Sequence, residues 1–217
     1  MFARLDSLVV RSALGSLAVL GLVLTACSTE GGDDEDSMGS GDEQSEAGSE
    51  TVGDEPPDAG QVPSDSDYCS AVASWDPAEA ALEQGVLDIV NQRRAEGADC
   101  GSEGSFPPAP PLVMNGRLRC AARVHSLDMA TRNYFSHDTP EGMGPGARVD
   151  ASGYQWSTWG ENIAAGSPDA AGTMEQWMNS DGHCSNIMDP DYTELGVGYA
   201  PGGDYGHVWT QVFGAPG

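Results

Sequence analysis

Histidine and cysteine are the residue types in this sequence best suited to chemistry, because they carry protons, bind metals or form disulfides. The chain has four histidines and five cysteines. None stands in a short catalytic or cofactor motif: there is no HExxH, no GxSxG, no CxxC pair, no GxGxxG and no P-loop. Any reactive site must therefore be assembled by the fold from separated parts of the chain.

The cysteines divide into one near the N-terminus, Cys27, and four in the rest of the chain, Cys69, Cys100, Cys120 and Cys184. An even number in an exported domain predicts two disulfides. Spacing does not choose among the three possible pairings, although Cys100–Cys120 is the most local. A zinc cluster is disfavoured, because no pair has the spacing usual for zinc ligands.

Residues 1–27 have the pattern of a secretory leader. An Arg-bearing start precedes an apolar stretch from Ala13 to Leu24, which is too short to span a bilayer. The leader ends Leu24-Thr25-Ala26-Cys27, which resembles the bacterial lipobox. We therefore expect Cys27 to become the lipidated first residue of a membrane-anchored lipoprotein. Ser28 follows this cysteine, and in bacteria with two membranes this arrangement resembles the signal that sorts a lipoprotein to the outer membrane.

The charge of the chain excludes one class of partner. The formal net charge is −25, and all nine basic residues are arginine. A nucleic-acid role is excluded, because phosphate binding needs a basic patch. Residues 28–67 hold 14 acids, no base and no apolar period, which predicts a disordered acidic tether. An acidic calcium-binding tract is the alternative interpretation of this stretch.

Residues 68–217 are predicted to form one α+β domain, in which helices precede strands. Asp76-Pro77 is typical of a helix start and Gly97 of a helix end. Asn115 can cap a second helix with His125 on its core stripe. The predicted helices cover residues 77–97, 115–133, 148–151 and 167–180, and the predicted hairpin strands cover residues 195–200 and 207–213.

Four phrases stand in order along this domain: AARVHSLDMATRNYFSH, GENIAAG, WMNSDGHCSNIM and LGVGYA…WTQVFG. Together they resemble the CAP superfamily, also called SCP-like, over roughly Ala80 to Gly214. This family includes cysteine-rich secretory proteins, venom antigens, pathogenesis-related proteins and many exported bacterial proteins. The resemblance is strongest to the bacterial branch, and it implies an α-β-α sandwich with a central antiparallel sheet.

The resemblance also implies an open cavity with two histidines and two acids. His137, Glu161 and His183 match three of these positions, and Ser180 stands where the second acid is expected. Two imidazoles and a carboxylate suit Zn²⁺ or another divalent metal. Glu161 could instead orient a histidine or brace the sheet. A hydrolase triad of Ser180, His183 and Glu161 is a further alternative, but no oxyanion hole is evident.

Two functional classes follow from the resemblance. The first is a module of the cell envelope that binds a small ligand, lipid, glycan or peptide. The second is a metal-assisted hydrolase that acts on peptide or cell-wall material. The missing second acid and the absence of a catalytic motif favour the binding module.

Replacing Cys27 tests the expected anchor. Cys27→Ala should move the domain from the membrane fraction to the soluble or precursor fraction, because acyl chains attached to this cysteine supply the anchoring energy. Membrane fractionation followed by immunoblotting measures the effect. Unchanged membrane retention of a correctly cleaved variant would contradict the prediction.

Overall fold

A computed structural model describes residues 60–217, so the leader, Cys27 and most of the tether lie outside the described residues. The helices are α1 (Pro77–Glu96), α2 (Gly116–Arg132), α3 (Pro145–Ala151), α4 (Ala170–Met178) and α5 (Asp181–Met188). The strands are β1 (Ala98–Asp99), β2 (Ser105–Phe106), β3 (Val113–Met114), β4 (Trp156–Ala165), β5 (Glu194–Gly202) and β6 (Gly206–Pro216). Within residues 60–217, every helix is too short or too polar to cross a membrane.

The main sheet has the strand order β3-β5-β6-β4. Its three long strands pair antiparallel, and only the two-residue β3 runs parallel to its neighbour β5. Helices α2 and α3 cover one face, and α1, α4 and α5 cover the other. The predicted α+β class and α-β-α sandwich are confirmed, with β3 as a parallel addition to the antiparallel sheet.

Strand β5 lets α2 approach the sheet closely. Large side chains such as Leu195 and Val197 face α1, α4 and α5, whereas Gly196 and Gly198 face α2. A Cβ atom on Gly196 would lie 2.0 Å from the backbone carbon of Leu118 in α2. The alternation of large and small residues therefore sets the distance between the sheet and α2.

Local signals fix both ends of the two long helices. The Asp76 side chain accepts from the N–H of Ala78 at the start of α1, and Gly97 ends that helix. Asn115 accepts from the first N–H groups of α2, which ends at Asn133 in the left-handed region with φ of 57°. These boundaries are those that the sequence predicts.

Strand β4 and helix α5 were not predicted. The polar pair Glu161-Asn162 lies buried in the middle of β4, so the strand has no apolar alternation to reveal it. Helix α5 has only eight residues, too few for a clear helical period. The helix predicted over residues 167–180 corresponds to α4, and a separate helix, α5, begins at Asp181.

The packed domain begins earlier than the expected boundary at residue 68. Val62 is buried with Cys69, Val72 and Cys120, and Asp65 forms an ion pair with an arginine of α2. Residues 60–67, which sequence analysis assigns to the tether, therefore lie against α2. One valine among acids and prolines is too weak an apolar signal to show this beforehand.

The four cysteines of the domain form two disulfides, as predicted. The pairs are Cys69–Cys120 and Cys100–Cys184. The most local pairing, Cys100–Cys120, does not form, because these two residues lie in different core clusters. One disulfide fastens the N-terminal segment to α2, and the other fastens the loop after α1 to α5.

Glu83 is a fully buried acid that joins three elements. Its carboxylate on α1 accepts from Arg119 and Arg123 of α2, each with a shortest distance of 2.7 Å. It also accepts from the backbone N–H of Tyr199 in β5, at 3.2 Å. A single carboxylate thus balances the charge of two guanidinium groups and accepts a hydrogen bond from one backbone N–H.

Glu83→Gln should lower the free energy of unfolding by about 3–5 kcal/mol, because it leaves two buried guanidinium groups without their counter-charge. Urea denaturation followed by circular dichroism measures this change. Glu96→Gln is the matched control: Glu96 belongs to an exposed pair with Arg93, and its loss should cost at most about 0.5 kcal/mol. Equal effects of the two variants would contradict the assigned role.

Candidate functional site

Glu161 of β4 is the buried centre of the site. The Arg148 guanidinium of α3 donates to both carboxylate oxygens, at 3.0 and 2.8 Å. His137, in the segment after α2, contacts Glu161 Oε1 through Nδ1 at 2.8 Å. The side chains of Arg148 and Glu161 are each 2 % exposed, whereas that of His137 is 48 % exposed. A buried ion pair thus supports an imidazole at the surface.

The contact with Glu161 determines how His137 holds its proton. A carboxylate that accepts from Arg148 can only accept, so the proton of a neutral His137 lies on Nδ1. The other nitrogen, Nε2, then keeps a free lone pair on a half-exposed ring. His137 can use it to accept a hydrogen bond, take a proton or bind a metal.

His183 reaches the site from the opposite layer of the sandwich. It lies on α5, and its backbone carbonyl accepts from the Asn162 side chain of β4 at 3.1 Å. Asn162 is held by Asn186 and Gln211. Burial lowers the pKa of His183, and interaction with His137 lowers it further. A positive charge on His137 thus disfavours protonation of His183.

Ser180 immediately precedes α5, one turn before His183. It is half-buried and its hydroxyl makes no capping hydrogen bond. The carboxylate of Glu161 bonds His137 and Arg148, and within residues 60–217 no hydrogen bond joins it to His183. The chain therefore does not form the Ser180–His183–Glu161 relay that a hydrolase triad needs.

His137 and His183 are the two candidate ligands for a divalent metal at this cleft. Both oxygens of Glu161 are engaged by Arg148, so Glu161 is placed to orient His137 and not to coordinate an ion itself. Within residues 60–217 no three His, Cys, Asp or Glu side chains are grouped so that they could hold a metal. The donor set is thus smaller than the three protein ligands usual for catalytic zinc.

Arg148 is the main residue of the site that sequence reasoning missed. The sequence places it in a short helix, but nothing local shows that its guanidinium enters the core beside Glu161. Asn162, Asn186 and Gln211 were likewise not assigned to the site. Only the composition of β4 could have indicated these partners. Glu161 and Asn162 are adjacent in a strand with few apolar residues, and both need buried hydrogen-bond partners.

Comparison with known proteins gives one family and several bacterial relatives. The sequence model of the Cysteine-rich secretory protein family, CAP, matches residues 87–213. The uncharacterized protein YkwD of Bacillus subtilis is 32 % identical over 156 residues, which are 71 % of this chain and 55 % of that protein. The uncharacterized membrane protein YlbC of the same species is 32 % identical over 124 residues, or 57 % of this chain and 33 % of its own length.

A solved structure of an extracellular protein with an SCP domain from Bacillus anthracis is also similar. It has a TM-score of 0.52 and 30 % identity, and the match covers 65 % of this chain and 44 % of that one. The chain thus spans about half or less of each of these relatives.

The bond between His137 and Glu161 predicts a single tautomer. Neutral His137 should carry its proton on Nδ1, and long-range ¹H–¹⁵N NMR spectra of the imidazole distinguish the two nitrogens. Glu161→Gln should weaken this preference, because an amide is not a charged acceptor. Glu175→Gln, an exposed change on α4, is the control. A proton on Nε2 in the unmodified chain would contradict the assignment.

Proposed function

Because the chain belongs to the Cysteine-rich secretory protein (CAP) family, we propose that it is an exported module that binds a polar ligand of the cell envelope. The observation that carries this proposal is the half-exposed His137, held in one tautomer by the buried Glu161–Arg148 pair beside His183. Such a pair of imidazoles offers hydrogen-bond donors and acceptors in a preset geometry. Glycans and peptides present complementary groups, so we propose them in preference to lipids at this cleft.

Export is supported by three observations. The sequence begins with a secretory pattern, the domain contains two disulfides, and a similar solved protein is described as extracellular. We propose that Cys27 anchors the protein to a membrane and that residues 28–59 form the acidic tether. Placement on the outer membrane rests on Ser28 alone.

A metal-assisted hydrolase is the second candidate. A divalent ion bound to Nε2 of His137 and to His183 would polarise a carbonyl group or activate water. Glu161 would keep His137 in the tautomer that leaves Nε2 free, and Arg148 would hold Glu161. Two imidazoles alone make a weak cation site, so the donor set favours binding over turnover.

Purified cell-wall material tests the proposal. The full chain should be retained by insoluble peptidoglycan, and His137→Ala and His183→Ala should each weaken retention about fivefold or more, because each removes a hydrogen-bonding group from the cleft. His207→Ala is the control, because His207 bonds Tyr199 on the hairpin, away from Glu161. Sedimentation measures retention. Undiminished retention of both cleft variants would reject the proposed site.

The same samples separate binding from hydrolysis. A binding module should release no soluble fragments or new amino groups, with or without added Zn²⁺. Zinc-dependent release that is lost in His137→Ala would establish the hydrolase instead. Zinc affinity should fall as the pH drops below about 6.5, since protons compete for imidazole. Because the pKa of His183 is lowered, protons compete with zinc for this residue only at lower pH.

A further inference from the structure

The exposed aromatic side chains of the domain lie on the elements that build the His137 cleft. Within residues 60–217, three aromatic residues are among the exposed large apolar side chains, and each is between 39 % and 43 % exposed: Phe135, Trp156 and Tyr205. Phe135 precedes His137 by two residues, and Trp156 lies on β4, the strand that carries Glu161. Exposed apolar surface that gathers beside a cleft is typical of a binding site.

Two tryptophans form a first aromatic platform, which lies on β4 and α3. The ring centroids of Trp156 and Trp159 are 6.4 Å apart, with an interplanar angle of 83°. Trp156 Nε1 donates to Asp150 at 2.8 Å, and the ring of Trp159 packs against Gly146 at the start of α3. Trp159 and Glu161 are two residues apart on one strand, so their side chains share one face of the sheet. The tryptophan platform therefore adjoins the carboxylate at the centre of the cleft.

Phe135 and Tyr205 form a second aromatic platform, which joins the segment after α2 to the β5–β6 hairpin. Their ring centroids are 5.6 Å apart. Asn133 fastens the hairpin to this segment: its side chain donates to the Asp204 carboxylate at 2.6 Å and accepts from the Asp204 backbone N–H at 2.8 Å. The two rings are thus held in place and remain exposed.

The pairing of β4 with β6 places the two platforms on opposite sides of Glu161. Trp159 pairs with Gly214, near the end of β6. Glu161 pairs with Val212, and Tyr205 immediately precedes the start of β6. At about 3.3 Å per strand residue, the backbone positions of the two platforms are about 25–30 Å apart. A ligand that reaches both platforms is therefore a chain of several units and not one small molecule.

The edge of the sheet beside the cleft is closed to strand addition by a peptide. Strand β4 is an edge strand, but side chains already donate to its outward-facing carbonyl groups. The Tyr192 hydroxyl donates to the carbonyl oxygen of Trp159 at 3.2 Å. Trp177 Nε1 donates to the carbonyl oxygen of Ile163 at 3.1 Å. An added strand needs such carbonyl groups as acceptors, so β4 does not offer a peptide this mode of binding.

The charges around the platforms favour a neutral ligand that is rich in hydroxyl groups. Asp150 adjoins the tryptophan platform, and Asp204 adjoins the second platform. Carboxylates only accept hydrogen bonds and have several acceptor positions, so both can accept from hydroxyl groups in addition to their present partners. Arg132, an exposed cation on α2, is already paired with Glu141. A polyanion would be repelled by this surface and by the net charge of −25.

We propose that a neutral glycan chain binds across the cleft, with sugar rings stacked on the two aromatic platforms. The apolar C–H faces of a sugar ring complement the faces of exposed aromatic rings. Its hydroxyl groups complement the carboxylates and imidazoles between the platforms. The inference rests on the proposed function of the cleft, and it names a glycan and not a peptide as the ligand. Phe135, Trp156 and Tyr205 are then the residues that determine specificity.

Oligosaccharides of two lengths test the proposal on the full chain. In calorimetric titration, a neutral β-linked hexamer of N-acetylglucosamine should bind about tenfold more tightly than the dimer, because only the hexamer extends from the cleft to a platform. A hexamer of galacturonate should bind about tenfold more weakly than the neutral hexamer, because the acidic surface repels its carboxylates. Equal affinities for hexamer and dimer, or tighter binding of galacturonate, would overturn the proposal.

Matched variants locate the glycan. Trp156→Ala and Tyr205→Ala should each weaken hexamer binding about fivefold and leave dimer binding unchanged, because each removes a stacking ring outside the centre of the cleft. Val113→Ala is the control, because Val113 is also exposed but lies on β3, at the far edge of the sheet. Equal weakening of dimer and hexamer binding, or unchanged hexamer binding in both variants, would overturn the assigned platforms.

Failure of this inference can be distinguished from failure of the proposed function. If insoluble peptidoglycan retains the chain through His137 and His183 but the hexamer does not bind, the cleft is correct and the glycan is wrong. Binding of a stem peptide released from the same peptidoglycan, in place of the hexamer, would lead to the same conclusion. If His137→Ala and His183→Ala both keep full retention, the proposed function fails whatever the hexamer does.

Discussion

The carboxylate of Glu83 holds both helical layers against the free edge of the sheet. Beyond the two residues of β3, strand β5 is the edge strand, and an edge strand exposes backbone N–H groups that invite pairing with other chains. Glu83 accepts one of these groups, that of Tyr199, while it binds Arg119 and Arg123. The same contact places α2, and α2 leads directly to His137.

Buried arginines connect the elements of this acidic domain at several places. Arg94, Arg119, Arg123 and Arg148 are all buried, and each joins elements that are distant in sequence. Arg94 has no carboxylate partner within residues 60–217 but donates to backbone carbonyls near the end of α5 and before β5. The planar guanidinium can donate several hydrogen bonds at once and so can join several elements. The ammonium group of lysine, a residue that the chain lacks, is less suited to this role. Within residues 60–217, four of the seven arginines are thus buried, whereas most of the acids lie at the surface.

Sequence reasoning succeeds where a structure depends on neighbours along the chain. The caps at Asp76 and Asn115 and the C-terminal hairpin follow from local residue types. The positions of His137, Glu161 and His183 came from family resemblance, since no local spacing implies that they meet. The disulfide pairing, the burial of Glu83 and the Glu161–Arg148 pair depend on long-range packing. A charged residue in a helix is ordinarily exposed to solvent, so the residue type alone could not reveal that Glu83 and Arg148 are buried and paired.

The Cys69–Cys120 disulfide also has a mechanical consequence. Tension applied at the N-terminal end of the domain passes from Cys69 through the sulfur bridge directly into α2. The stretch between these two cysteines, which are separated by 51 in sequence and enclose α1, lies off this load path. Helix α2 is seated on Gly196 and Gly198 across the central strands, so the force is spread over the sheet and does not peel α1 away. A protein held by its N-terminus at a cell surface under flow would thus be loaded through α2 and the sheet beneath it.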